Sequence, residues 1–300
     1  MEQAIKYVKH SEIDTGKWNR CMDKAPNGLL YGYTFYLDHF AKHWDALILG
    51  DYEVLMALPW NRKYGIQYLY QPPFTPVCGL YGKSVDNALY AKFIKAIPSK
   101  FKLAEINLNG QPQPGNEPRK NLVLPLNAPY QTIYDNYNQN IKRNIKKAIE
   151  IGCTVKKNIP VKDVLDIAMQ QLEGVVKIDE HTQQEFIKLY DFLHIQQNAV
   201  SYGIFSKSNE LLASCVFFYA HYRAYYILVG NTPNGKTLGA SHYLIDRFIA
   251  DHAGSSFTLD FEGSDIPSLA FFYTSFGAKE ELYQAVRIDR LPWYVRMIKR

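Results

Sequence analysis

The chain lacks the sequence features of secreted, membrane-spanning and metal-dependent proteins. Only four of its 300 residues are cysteines, and they form no C-x-x-C pair and no metal-ligand spacing. The first ten residues contain no signal-peptide core, and the longest apolar run, 211–220, is too short to span a bilayer. We therefore expect reduced structural thiols in a soluble cytoplasmic protein with no membrane span, no metal and no permanently bound cofactor.

Several catalytic and binding motifs are also absent. The sequence has no G-x-S-x-G nucleophile motif, no Walker loop and no zinc pattern, which argues against the enzyme classes that depend on them. A net charge of +5, from 34 basic and 29 acidic residues, is too small to predict nucleic-acid binding. With 47% hydrophobic and 21% charged residues, the chain is typical of a globular protein with one large or two ordinary domains.

The most informative stretch covers residues 224–278. Residues 224–230 are a continuous apolar and aromatic run, which predicts a strand buried on both faces. A glycine-bearing turn follows, then a helix to His252 with Thr237 as its N-cap, and then a second strand over 257–262. A glycine turn that opens a helix after a buried strand leaves backbone N–H groups unpaired, so it is typical of an anion site.

Two motifs in this stretch resemble motifs of the GNAT acyltransferase superfamily. The first is similar to the family's pyrophosphate loop, Gln/Arg-x-x-Gly-x-Gly/Ala, and reads Lys236-x-x-Gly239-x-Ser241. The second is similar to the family's Ala-x-x-Tyr-x-x-x-Gly-Phe helix and reads Ala270-x-x-Tyr273-x-x-Phe276-Gly277-Ala278. The resemblance implies a fold in which strand, helix, strand and helix hold acyl-CoA as a co-substrate.

The order of predicted elements repeats in the two halves of the chain. Each half reads as strand, helix, helix, a hairpin (46–60 and 202–219), a strand with a Pro/Gly loop, a helix and a strand. We therefore predict an α/β fold (α+β mixed sheets) with two tandem GNAT-like domains. The predicted boundaries are 1–128 for a degenerate N-terminal domain, 129–152 for a linking helix and 153–300 for the domain with the donor site. The alternative is one α/β domain with a large N-terminal extension.

The linking segment is predicted to be one long amphipathic helix. Its apolar residues recur at helical spacing from Tyr130 to Ile149, and Gly152 can stop it. The opposite face carries four cations, Lys142, Arg143, Lys146 and Lys147. Such a face is either a polyanion-binding surface or a solvated charge run, and the sequence leaves both readings open.

Part of this helix resembles the Fem-type aminoacyltransferases, which are tandem GNAT-fold proteins of bacteria. Residues 141–152 are similar to their Arg-x-Asn-Ile-x-Lys-Ala-x-x-x-Gly helix, and Leu-Asp-Phe-Glu-Gly-Ser at 259–264 adds to the likeness. The resemblance implies acyl or aminoacyl transfer to an amine. The chain has no long heptad segment of the kind with which some Fem enzymes meet tRNA, so we expect a thioester donor.

Transfer from a thioester requires that the donor phosphates be held and the thioester carbonyl be polarised. Three backbone N–H groups can hold the pyrophosphate, with Lys236 adding charge; they belong to Gly239, Ala240 and Ser241. Alternatively, Gly239 only permits close packing of a helix. The carbonyl would meet backbone N–H groups near Val229 and Gly230, where two parallel strands part.

Transfer also requires groups that move protons. The superfamily match implies that Tyr273 donates a proton to the leaving thiolate, although the residue can equally be a packed aromatic. Asp260 and Glu262 alternate on one predicted strand, so both carboxylates should share a face and one pKa should rise. Glu262 lies nearer the strand end and is the predicted general base, whereas the alternative for both residues is an ion pair or a cap.

The sequence thus predicts an N-acyltransferase that uses acyl-CoA, with an amine acceptor in the cleft between domains. The acceptor is expected to be a small molecule or a cell-wall precursor. One alternative is Fem-like transfer from aminoacyl-tRNA to a peptidoglycan precursor, in which case nucleic acid is also a partner. Another alternative is a non-catalytic GNAT-like binding module.

Overall fold

The computed structural model describes residues 4–173, 178–263 and 265–298. In chain order, the strands are β1 Ile5–Val8, β2 His43–Leu49, β3 Val54–Lys63, β4 Ile66–Leu69, β5 Leu80–Gly82, β6 Phe101–Leu108, β7 Glu117–Pro125, β8 Thr154–Lys157, β9 Ala199–Phe205, β10 Leu211–Ala220, β11 Arg223–Asn231, β12 Thr258–Asp260 and β13 Lys279–Asp289. The helices are α1 Thr15–Lys24, α2 Thr34–Phe40, α3 Asn87–Ala96, α4 Tyr130–Asp135, α5 Gln139–Glu150, α6 Val161–Leu172, α7 Glu180–Ile195, α8 Pro233–Leu238, α9 Ala240–His252, α10 Pro267–Thr274 and α11 Trp293–Ile298.

The chain divides into two compact units, Met1–Arg119 with Leu282–Arg300, and Lys120–Glu281. The sheet of the first unit has the strand order β1-β2-β3-β4-β6-β13, and β5 also pairs with β3. Strands β4 and β6 are parallel, and the other pairs are antiparallel. Apolar side chains of β3, β6 and α3 form much of its core, among them Leu58, Phe93 and Phe101.

The sheet of the second unit has the order β7-β12-β11-β10-β9-β8. Here β11 and β12 are parallel, and the remaining pairs are antiparallel. Buried side chains of β10 and β11 pack against α9, with the Phe217 and Phe248 rings stacked 3.6 Å apart. The hydrophobic effect over this apolar face holds the helix on the sheet.

The two units repeat one element order, as the sequence predicts. A strand, two helices, three strands, a crossover helix and a parallel strand run from β1 to β6 and again from β8 to β12, with the short strand β5 added in the first unit and the short helix α8 added in the second. However, the two halves of the chain exchange the strand that completes each sheet. The first sheet is completed by β13, which pairs with β6, and the second by β7, which pairs with β12.

This exchange is why the structure divides the chain differently from the predicted domains 1–128 and 153–300. The segment from Leu282 onward clusters with the first unit, and the chain enters the second unit at Lys120. Residues 129–152 lie inside the second unit because Ile133, Ile141 and Ile145 are buried in its core.

The predicted single helix over 129–152 is wrong, because the chain breaks between α4 and α5. The Asn138 side chain accepts a hydrogen bond from the Ile141 N–H at 2.9 Å and so caps α5. The Asn138 N–H donates to the Ser275 carbonyl, also at 2.9 Å, instead of continuing α4. A contact distant in the sequence therefore divides one amphipathic run into two helices.

The predicted N-cap Thr237 is also wrong. Thr237 lies inside the short helix α8, which Thr232 caps by accepting from the Gly235 N–H at 3.0 Å. Gly239 follows with φ +75°, and α9 begins at the next residue. A Cβ built at Gly239 would lie 2.7 Å from the Asn144 carbonyl oxygen, so glycine allows α5 to pack against this turn.

Replacement of Gly239 by alanine is expected to destabilise the protein through both backbone strain and this contact. Gly254 is the matched control, because it has φ +80° and no heavy atom within 4 Å of a built Cβ. Urea unfolding should show a loss of about 1 kcal/mol for Gly254→Ala, from the left-handed backbone alone. Gly239→Ala should lose about 2 kcal/mol more through overpacking, and equal losses would contradict the contact.

Candidate active site

The parallel strands β11 and β12 separate in the middle of the second sheet. They are paired only from Arg223 with Thr258 to Tyr225 with Asp260, although β11 continues to Asn231. Immediately beyond the last pair, Tyr226 faces Phe217 and Leu228 faces Val216 on β10, so Ile227 is the extra residue of a β-bulge. Backbone groups on the β12 side of β11 are therefore not engaged by β12 after Tyr225, which is where ligands bind in open α/β sheets.

Aromatic side chains surround the point where the strands separate. The Phe261 and Tyr273 rings stack 4.3 Å apart, and the Tyr226 ring is edge-on to both, at 6.1 and 6.4 Å. All three are buried in the core of the second unit. The packing fixes the position of the Tyr273 ring on α10. A fixed ring is compatible with both interpretations of this residue, as a proton donor and as a packed aromatic.

Tyr273 is close to the predicted base. Burial raises the pKa of the Tyr273 hydroxyl, and the charge of Glu262 raises that pKa further. No residue that the structure describes forms a hydrogen bond with this hydroxyl. The group therefore stays protonated at neutral pH and is available as a hydrogen-bond donor.

Asp260 and Glu262 do not share a strand face, contrary to the prediction. Strand β12 ends at Asp260, and Glu262 has a left-handed backbone with φ +61°. The reason is local, because the Asp260 carboxylate accepts the Glu262 N–H at 2.9 Å and turns the chain out of the sheet.

Asp260 takes part in a partly buried ion-pair network. Arg223 Nη1 lies 2.8 Å from its carboxylate, and Asn121 donates to it at 3.0 Å. Arg223 also pairs with Glu281 at 2.6 Å. Burial raises the pKa of the Glu281 carboxyl, but the hydrogen bond and charge of Arg223 and the hydrogen bond from Asn121 together outweigh burial and leave that pKa below its ordinary value. This geometry corresponds to the ion-pair alternative for Asp260 and leaves Glu262 as the carboxylate near Tyr273.

The first turn of α9 has no cap. Gly239 lacks a side chain, and the N–H groups of Ala240 and Ser241 find no acceptor among the described residues. Lys147 Nζ donates to the Thr237 carbonyl at 2.9 Å beside this turn, and Lys236 is exposed. Unpaired N–H groups at a helix start attract anions or carbonyl oxygens, and pyrophosphate binding at this turn stays a prediction.

The residue that sequence reasoning missed is His242, in the same first turn. Its ring is half-buried and edge-on to Phe272 at 5.0 Å, and burial lowers the pKa of the imidazole to about 4. Nδ1 is buried, and neither ring nitrogen has a hydrogen-bond partner in the described part of the chain. A neutral imidazole with both nitrogens unused can bind polar groups of a ligand. No sequence pattern marks it, since its burial depends on a residue of α10.

Val229 and Gly230 lie on β11 beyond the bulge. Gly230 is buried against α6, where a built Cβ would come within 2.7 Å of Ile167. Val229 is partly buried and packs against the core. The structure thus places both residues on the strand segment that has separated from β12, and it leaves their predicted contact with a thioester carbonyl untested.

The four cations of α5 do not converge on one point. Lys142 donates to the Asp135 carbonyl at 3.1 Å, and Arg143 donates to the Asn140 side chain at 2.8 Å. Lys146 lies 3.7 Å from Glu150, and Lys147 donates to Thr237. Arg143, Lys146 and Lys147 are exposed and can still attract a polyanion, and only Lys147 approaches the start of α9.

Two further findings concern membrane spans and metal sites. None of the helices in the described residues is long and apolar enough to cross a membrane. Within the same residues, no group of three or more His, Cys, Asp or Glu side chains is arranged to hold a metal ion.

Solved structures share this fold. FemX is 13% identical, with 100% of each chain covered and a TM-score of 0.66. The C-terminal domain of a putative lysylphosphatidylglycerol synthetase from Agrobacterium fabrum is 10% identical, with 95% of this chain and 94% of that chain covered and a TM-score of 0.54. A conserved protein of unknown function from Bacteroides thetaiotaomicron is 8% identical, with 94% and 99% covered and a TM-score of 0.54.

No protein-family model and no curated protein sequence matches the chain. The structural likeness shows that the chain has the same α/β fold as FemX, in agreement with the sequence resemblance to the Fem-type proteins.

Replacement of Asp260 by asparagine should reveal a structural role for this residue. We expect Asp260→Asn to lower the free energy of unfolding by about 3 kcal/mol, because it removes one partner of a largely buried ion pair. The control is Glu280→Gln, which breaks the exposed pair with Lys120 (2.6 Å) and should cost less than about 1 kcal/mol. Urea unfolding measures both losses. A loss for Asp260→Asn as small as that of the control would contradict the role.

Proposed function

We propose that the chain is an N-acyltransferase that transfers an acyl group from acyl-CoA to an amine, with its donor site in the second unit. The observation that carries the proposal is the separation of β11 and β12 beside the uncapped first turn of α9. One end of this region offers backbone N–H groups to phosphates, and the other offers strand N–H groups to a carbonyl. The presence of both kinds of N–H group in one strand–helix–strand unit supports a thioester donor.

The phosphate end consists of the α9 turn and its neighbours. The Ala240 and Ser241 N–H groups would face the pyrophosphate, and Lys236 would add charge from the surface. His242 would donate to or accept from the amides of the carrier arm, because its imidazole is neutral and unpartnered.

Proton transfer would involve Tyr273 and Glu262. The raised pKa of Tyr273 makes complete transfer of its proton to a thiolate unfavourable, since a thiol is the stronger acid. Tyr273 therefore acts best as a hydrogen-bond donor that stabilises the thiolate as it leaves. Glu262, whose charge acts on Tyr273, would accept the proton that the amine loses on attack.

An aminoacyl donor is the second candidate, and a specific observation favours it. The solved structures that match over nearly the whole chain include FemX and a putative lysylphosphatidylglycerol synthetase domain, whose name describes transfer of a lysyl group to a lipid. With aminoacyl-tRNA as donor, the exposed cations of α5 would meet the nucleic-acid backbone. The acceptor would then be a cell-wall precursor, as in the Fem-type proteins that the sequence resembles.

A charge reversal at the α9 turn tests the donor. Ser241→Asp should preserve the fold, because a carboxylate in the first turn of a helix is stabilising. It should weaken CoA binding in isothermal titration roughly tenfold or more, because the new charge repels the pyrophosphate. The control is Thr182→Asp, which adds the same charge to the first turn of α7 and should leave CoA binding unchanged. Wild-type protein that binds aminoacyl-tRNA but not CoA would favour the second candidate.

Removal of one hydroxyl tests the chemistry. Tyr273→Phe should lower kcat about 100-fold with acetyl-CoA and a panel of primary amines, and KM for the donor should stay unchanged. The stack on Phe261 survives the change, so only the donor O–H is lost.

Tyr137→Phe is the control for this test. It removes the buried hydroxyl of a ring that packs edge-on to Phe276 at 5.1 Å, and it should leave kcat unchanged. Equal kcat values for Tyr273→Phe and the wild type would remove Tyr273 from the mechanism.

A further inference from the structure

A second candidate site lies in the first unit and includes none of the residues assigned above. A groove of about 380 Å³ opens beside the turn between β3 and β4. Three of its lining residues are cations, Arg62, Lys100 and Lys102, and its lining contains no carboxylate. A cavity of this size is within the range of small-molecule sites.

The sheet itself gathers these cations. Arg62 on β3 is directly opposite Gln67 on β4, so their side chains share one face. Gln67 is paired in turn with Phe101 on the parallel strand β6. Lys100 and Lys102 flank Phe101 in the sequence, and both line the groove together with Arg62 and Gln67. Three neighbouring strands thus bring an amide and three positive charges into one groove.

One of the three cations is held in place by the protein. The Lys100 ammonium lies 3.6 Å from the buried Asp45 carboxylate and 4.4 Å from the centre of the Tyr7 ring. Asp45 also accepts the His10 N–H at 3.1 Å, so it is shared and offsets only one positive charge. Lys100 is consequently a pre-positioned cation at the rim of the groove.

The other two cations have no counter-ion. Within the described residues, no carboxylate lies at ion-pair distance from Arg62 or Lys102, and both side chains are exposed. Like charges that converge on one concavity repel one another, and a multivalent anion relieves that repulsion. Arg62 can grip two phosphate oxygens with its guanidinium fork, while Gln67 can donate its amide N–H.

We propose that this groove binds a small ligand that carries a phosphate or diphosphate group. A nucleic-acid backbone would require cations spread along an extended stripe, whereas these three line a single small cavity. The site does not depend on the proposed transferase activity, because it is formed entirely by residues of the first unit.

Calorimetric titration with inorganic pyrophosphate at low ionic strength tests the site. Arg62→Gln and Lys102→Gln should each weaken pyrophosphate binding roughly tenfold, because each removes a charge-assisted hydrogen bond. Lys6→Gln is the control, because it removes an exposed positive charge from β1 in the same unit. It should change the affinity less than about twofold, as expected of a charge outside the groove.

Three outcomes overturn the proposal. The first is that the wild type shows no saturable binding of pyrophosphate at millimolar concentration. The second is that Lys6→Gln loses as much pyrophosphate affinity as the groove variants do. The third is that a short single-stranded oligonucleotide binds through the groove residues while pyrophosphate does not bind. CoA titration of Arg62→Gln separates this site from the donor site. Unchanged CoA affinity with weakened pyrophosphate affinity is the expected result. A failure of CoA binding in the wild type would count against the acyl-CoA donor alone and not against the groove.

Discussion

The separation of β11 from β12 is the constraint on which the candidate active site depends. If the two parallel strands stayed paired along their whole length, their facing N–H and C=O groups would bond to each other and none would be left for a ligand. The bulge at Ile227 and the end of β12 at Asp260 stop the pairing after three residue pairs. The stacked Phe261 and Tyr273 rings then occupy one side of the opening. The bulge, the end of β12 and the aromatic stack thus together leave backbone N–H and C=O groups of β11 unpaired with β12 at the point where the strands separate.

In the same region, the carboxylates of Asp260 and Glu262 have different surroundings. Asp260 is tied to Arg223 and Asn121 and also turns the following residues out of the strand. Glu262 is the residue so turned, and its charge reaches Tyr273. The ion pair and hydrogen bonds hold the Asp260 carboxylate in place, whereas the turn that Asp260 forms brings Glu262 near the predicted acid Tyr273.

Much of the fold could be predicted because apolar periodicity is a local property of the chain. The hairpins and the strand–helix–strand order follow from this pattern. Features that depend on distant partners could not be predicted. The break before α5 depends on Ser275, and the burial of His242 depends on Phe272. The left-handed turn at Glu262 is local, but it depends on a hydrogen bond to the Asp260 side chain that apolar periodicity does not indicate. Of the predicted site, Tyr273 and Glu262 come together, while Asp260 belongs to an ion-pair network.

The exchanged strand β13 has a consequence for the biogenesis of the protein. The second unit is continuous from Lys120 to Glu281, so all of its residues are synthesised before the residues from Leu282 onward that complete the first unit. The first unit must wait for the residues from Leu282 onward, although more than a hundred of its residues leave the ribosome earlier. Until then, β6 presents an open edge that another chain can pair with. The first unit is therefore the one whose synthesis begins earlier and whose folding is completed later. It is also the one more exposed to aggregation and chaperone capture during synthesis.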